Sequence, residues 1–86
     1  MKTEIQIVIE NEENVKTNLL TQEYSETVPI QKGDLIKLGK NQIRVESVMF
    51  DSFNQEMIIC GRCKFTTFLY MTEVAILASN QGWEVV

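Results

Sequence analysis

Cys60-Gly61-Arg62-Cys63 is the one compact group in this 86-residue chain whose residue types and spacing could carry chemistry. Two thiols three positions apart offer a redox pair, in which a thiolate of lowered pKa attacks a disulfide. They also offer half of a metal site. Structural zinc takes four ligands, and the chain holds no further cysteine and no histidine. Two chains would have to pool their thiolates to reach that count. The lack of histidine also removes the commonest general base, so Ser25, Ser47, Ser52 and Ser79 have nothing to activate them. Glu12 and Glu13 sit in turn-forming sequence and read as solvated carboxylates rather than an acid–base pair, which needs burial to separate its pKa values. Gly33 and Gly39 fit neither phosphate-loop pattern. The sequence therefore assigns no catalytic, cofactor-binding or metal-binding residue.

The segment Met57-Ile58-Ile59-Cys60-Gly61-Arg62-Cys63-Lys64, with helix-forming residues after it, resembles the strand, C-G-x-C and helix of thioredoxin-like oxidoreductases. That resemblance implies a nucleophilic Cys60 at a helix N-terminus. It departs from the family in two respects. The only proline, Pro29, precedes the motif instead of following it, and further strands are missing after the helix. The preferred reading is structural: Met57-Ile58-Ile59 continues as a strand through both cysteines. A spacing of three then puts the thiols on opposite faces, with Cα atoms roughly 10 Å apart, beyond the ~7 Å limit for a disulfide. Free thiols also suit a reducing cytoplasm, and the chain is read as cytoplasmic.

The elements that would hold these residues are mostly strands. Thr3 to Glu10 (TEIQIVIE) alternates, with Ile5, Ile7 and Ile9 on one face. Asn11 to Asn14 supplies a turn, and Val15 to Gln22 returns with Val15, Thr17 and Leu19 expected in register. Glu23 to Gln31, with Pro29, reads as a loop. Leu35 to Leu38 forms a strand after the Gly33-Asp34 turn, and Gly39-Lys40-Asn41 leads into Gln42 to Asp51. In that strand Ile43 and Val45 share one parity, Val48 and Phe50 the other. One extra residue near Glu46-Ser47, a β-bulge, would restore a single apolar face. Ser52-Phe53-Asn54 turns the chain, and Glu56 to about Cys60 completes a meander. Lys64 to Tyr70 has β composition. Met71 to Asn80 reads as a helix stopped at Gly82, before a short Trp83 to Val86 strand. A Val74–Leu77 hairpin with Trp83–Val86 is the competing reading. Residues 1–86 form one domain of α+β class, mostly β: a small antiparallel meander or SH3-like barrel with a short C-terminal helix, all-β being the alternative. Ile5, Ile7, Ile9, Ile36, Leu38, Ile43, Val45 and Ile59 should form the sheet side of the core, with Trp83 anchoring the C-terminus.

Val28-Pro29-Ile30-Gln31-Lys32-Gly33-Asp34-Leu35-Ile36-Lys37-Leu38, followed by Ile43-Arg44-Val45-Glu46-Ser47-Val48, resembles small bacterial and phage β-domains. Those carry a proline, a Gly-Asp turn, an alternating strand and a second apolar strand, and many are SH3-like barrels or similar meanders. The resemblance spans about residues 28–60. It implies a fold and brings no catalytic residue with it.

Net charge is −4, yet six of the eight basic residues lie between Lys32 and Lys64. Lys32, Lys37, Lys40, Arg44 and Arg62 are the candidate binding surface. Nucleic-acid binders carry a denser basic footprint, so ordinary solvated surface is the simpler reading. The seven aromatics could stack single-stranded bases in a small barrel, but core and rim packing explains them more economically. No apolar run is long enough to span a membrane, and the alternating N-terminus lacks the continuous apolar segment of a secretory signal. The sequence thus points to a non-catalytic β-rich domain, of the kind phages and mobile elements encode, that binds a protein partner or itself. A nucleic-acid-binding barrel and a thiol oxidoreductase are the alternatives. No cofactor and no membrane partner is expected.

Overall fold

Period-two burial along the first strand organises the molecule. In the computed structural model, which describes residues 1–12 and 17–86 and Phe68 by its backbone alone, β1 (Lys2–Asn11) buries Thr3, Ile5, Ile7, Ile9 and Asn11 on one face. Five further strands follow: β2 (Thr17–Tyr24), β3 (Leu35–Leu38), β4 (Asn41–Asp51), β5 (Glu56–Phe65) and β6 (Glu84–Val85). The helix α1 (Phe68–Asn80) comes between β5 and β6. The strand order is β3-β4-β5-β1-β2-β6, and the sheet curls into a half-barrel. The α+β, mostly-β class with a short C-terminal helix is borne out. The all-β alternative, with its Val74–Leu77 hairpin, is replaced by α1, and β6 pairs instead with Leu20 and Thr21 of β2.

The sheet is mixed rather than purely a meander. β1–β2 and β3–β4–β5 are antiparallel units, joined by a parallel pairing of β1 with β5 along their whole length, Lys2↔Glu56 to Asn11↔Phe65. Alternation marks each strand's inner face but is silent on strand direction, so the sequence carries no sign of this junction. β5 also runs on through the C-G-R-C motif to Phe65, well past Cys60.

The expected bulge is present. Val45 pairs with Gly61 and Ser47 with Cys60, leaving Glu46 extra. Val48 then returns to the core side, where it packs at the edge of the cluster. The second strand needs correction. Ile7 pairs with Leu20 and Val8 with Leu19, so Leu20 is buried and Leu19 faces outward. Apolar residues of both parities in VKTNLLTQ left the choice open, and Val15 lies outside the described residues. Glu23 and Tyr24, expected in the loop, extend β2. KFTTFLY is divided: Phe65 ends β5, Thr67 caps the helix by accepting the Tyr70 N–H at 3.3 Å, and Phe68 opens it.

The helix C-terminus shows why Gly82 and Trp83 stand where they do. Gly82 takes φ +90°, its N–H donates to the Ser79 carbonyl, and the Trp83 N–H donates to the Ala78 carbonyl at 3.0 Å. This six-to-one closure satisfies carbonyls the helix leaves unpaired and brings Trp83 beside buried Ala78. Met71, Val74, Ala78 and Trp83 then cover Ile5, Ile7, Ile9, Leu20, Leu38, Ile43, Val45 and Ile59 in one cluster, with Ile36 half-buried at its margin. Buried Thr3 ties the 25–34 segment to β1: its hydroxyl donates to the Glu26 carbonyl at 2.8 Å and accepts the Val28 N–H at 3.1 Å.

Ile7 is fully buried. Ile7→Ala and Leu20→Ala should each lower unfolding free energy by about 2–5 kcal/mol in denaturant titrations, and Leu19→Ala clearly less. Equal losses at Leu19 and Leu20 would contradict the assigned register.

Candidate functional site

The two cysteines lie three positions apart on one strand and on opposite faces of the sheet. Cys63 shares its face with Ile59, Gly61 and Phe65 and packs against the core. Cys60 faces outward, its thiol 3.9 Å from Gln6 Oε1. Both are free. Partial burial raises the Cys63 thiol above its ordinary pKa, since desolvation disfavours the thiolate. The motif also stops short of the helix, which begins at Phe68, so neither thiol lies at a helix N-terminus. Gly61 has a packing reason. A Cβ there would stand 3.1 Å from Ile43 Cγ2 and 3.2 Å from the Arg44 carbonyl oxygen, where β4 crosses close. Among the described residues no three His, Cys, Asp or Glu side chains converge as metal ligands would.

The five basic candidates do not form one patch. Lys37 and Arg44 project from the outer face of β3 and β4, and Arg44 leans toward the Gly33 carbonyl at 3.4 Å. Lys32 sits in the turn before β3, Lys40 in the turn after it, at opposite ends of that strand. Arg62 is paired with Glu10 at 3.5 Å across β5 and β1. Lys40 instead joins Lys64 on the rim of an open cleft of about 750 Å3 between the β3–β4 turn, the end of β5 and α1. Phe65, Val74 and Leu77 line it, with Tyr70 and Glu73 beside them. Gly39, at φ +63°, lets the turn approach the helix; a Cβ there would collide with the Leu77 side chain. A smaller hollow of about 440 Å3 lies between Tyr24, Val28, Ile30, Ile36 and Trp83.

A different surface went unmarked in the sequence: the β4–β5 hairpin. Its tip is rigidly built. Asp51 accepts the Phe53 N–H at 2.9 Å and the Asn54 N–H at 3.3 Å through one carboxylate oxygen, and the Asn54 side-chain amide at 3.0 Å through the other. Those bonds from Asn54 and Phe53 hold the Asp51 carboxyl below its usual pKa. Gln55 takes the left-handed conformation, φ 51°, to close the turn into β5. What this frame displays is apolar. Phe53 is 97% exposed, Phe50 55% and Met49 52%. Phe50 has core parity but stands beyond the helix, which packs over β1, β5 and β6. The available signal was Phe53 itself, an aromatic set between Ser52 and Asn54 in a turn that buries nothing.

Thiol labelling near neutral pH should show two phases, Cys60 reacting before Cys63, with Cys60→Ser removing the faster one. A single phase, or ready closure to an intramolecular disulfide, would contradict the opposite-face placement. No protein-family model, curated protein or solved structure matches this chain.

Proposed function

We propose that this chain is a non-catalytic binding domain that engages a protein partner, or another copy of itself, through the β4–β5 hairpin. The observation that carries this reading is Phe53, almost wholly exposed on a turn that Asp51 and Asn54 hold in one shape. An exposed aromatic loses hydration-driven stability in the free monomer and gains it only when covered. Aromatic and methionine side chains are also the types enriched in interface cores. A preformed tip lowers the ordering cost of association. Met49 and Phe50 add exposed apolar side chains on the two faces of β4 beside the same tip, and exposed apolar area clustered at one place marks interaction sites.

Separation of the two thiols on opposite faces supports the non-catalytic part of the reading over the oxidoreductase alternative. Dispersal of Lys32, Lys37, Lys40, Arg44 and Arg62 favours protein over nucleic acid, which calls for basic groups that track a phosphate backbone.

The test is affinity capture from native-host lysate with the tagged full chain, compared with Phe53→Ser. Phe53 touches nothing it would destabilise by leaving, so the variant should keep its thermal midpoint. A protein, or untagged copies of this chain, retained by the wild type and lost from the variant is the expected result. Equal retention by both, or no specific retention by either, would overturn the proposal.

A further inference from the structure

We infer that the partner is a second copy, paired antiparallel through the outer edge of β4 in one register, with Met49 facing Met49 across a two-fold axis. This rests on the reading of the β4–β5 hairpin as the binding surface.

The free edge follows from unequal strand lengths. β4 runs Asn41–Asp51, but β3 covers only Asn41–Arg44. The turn before β3 extends that cover by one residue: Gly33 N–H donates to the Val45 carbonyl at 2.9 Å, and Val45 N–H donates to the Asp34 carbonyl at 2.8 Å. From Glu46 to Asp51, β5 lies on one side, and among the described residues no backbone group pairs on the other. In an antiparallel strand the N–H and C=O of one residue point to the same neighbour, alternating along the chain. Val45 points toward β3. The extra residue at Glu46 resets the alternation, so Ser47, Met49 and Asp51 point to β5 while Val48 and Phe50 point outward. These outward groups are orphans on an edge.

Their spacing selects the register. With Met49 on the axis, Val48 of each copy lies opposite Phe50 of the other, and both pairs exchange N–H···O=C bonds. Asp51 then faces Ser47, so no acid meets an acid. Sliding by one residue, with Val48 facing Met49, sets outward groups against inward ones and puts Glu46 opposite Asp51. Centring on Val48 leaves Phe50 opposite the bulge residue Glu46, which points to β5. Donor direction and charge therefore agree on the same arrangement.

Side chains fit it as well. Phe50 of one copy would cover half-buried Val48 of the other on the concave side. The non-hydrogen-bonded Met49 pair would approach to about 4.5 Å between Cα atoms, with two flexible thioethers able to pack together. The same register carries each Phe53 tip toward the Lys32–Asp34 turn of the other copy. There Gly33 faces open space, which leaves room for the incoming ring.

The experiment is sedimentation equilibrium of the full chain over a wide concentration series, with Met49→Lys and Met49→Glu, whose exposed side chains leave the core intact. The wild type should pass from one-chain to two-chain mass as concentration rises. Each variant alone should associate about tenfold more weakly, since like charges face each other across the axis. An equimolar mixture should regain association, because Lys then faces Glu. One-chain mass at every concentration would overturn the inference, as would a dimer indifferent to both variants or a mixture no tighter than its components. A one-chain protein that still captures a foreign partner through Phe53 sinks this inference alone. One with neither property sinks the binding-domain reading too.

Discussion

Burial of the Ile5-Ile7-Ile9 row of β1 is the constraint on which the rest of the molecule depends. β1 sits between β5 and β2, so its backbone is paired on both edges. One face of the row meets the helix residues Met71, Val74 and Ala78 and the C-terminal Trp83. A chain this short has little apolar area to bury, and concentrating three fully paired isoleucines at the centre uses it well. The parallel β1–β5 junction fuses two antiparallel units into one sheet. The β5–α1–β6 crossover then brings the chain back to the far edge, and the bonds between Leu19 and Val86 hold it there.

The exposed hairpin is a consequence of the same economy. α1 is thirteen residues long, packs over β1, β5 and β6, and does not reach the outer half of β4. β3 is four residues, and its first, Leu35, pairs with Arg44, just short of the bulge. Beyond that point β4 is an edge strand: β5 pairs with it on one side and is itself paired with β1, while the other side of β4 has neither helix nor neighbouring strand over it. Isolated hairpins are marginal in water; this one is held by the Asp51 cap on its turn and by the pairing of β5 with β1. Natural edges are commonly protected by charge, proline or extreme shortness. The outer half of β4 has acids only at its ends, Glu46 and Asp51, with Val48, Met49 and Phe50 between them.

Much of this was legible in the residues. Strict alternation located β1, the parity break between Val45 and Val48 located the bulge, and Gly82 located the helix stop, because each is a local event with one physical solution. Leu19-Leu20 is apolar at both parities, and only pairing with Ile7 decides that Leu20 is the buried one. KFTTFLY has strand composition throughout, yet Thr67 can cap a helix, and packing against β1 favours Met71 and Val74 in helical spacing. Strand direction at β1–β5 has no local signature at all. The C-G-R-C motif shows the reverse hazard: its glycine answers to the close approach of Ile43 and Arg44, a packing demand that resembles a redox motif in one dimension. Aromatics usually pack, so Phe53 reads as a packing residue in one dimension, and only the fold leaves it exposed.

Residue-resolved amide hydrogen exchange on the dilute protein tests the central claim most directly, because it reads backbone pairing position by position. The account predicts the slowest exchange at Ile5, Ile7 and Ile9. Along the outer half of β4 it predicts a two-residue alternation, Met49 and Ser47 protected by β5, Val48 and Phe50 exchanging fast from the open edge. Uniform protection from Ser47 to Asp51 in the dilute protein, or β1 amides no slower than those of β3 and β6, would contradict it.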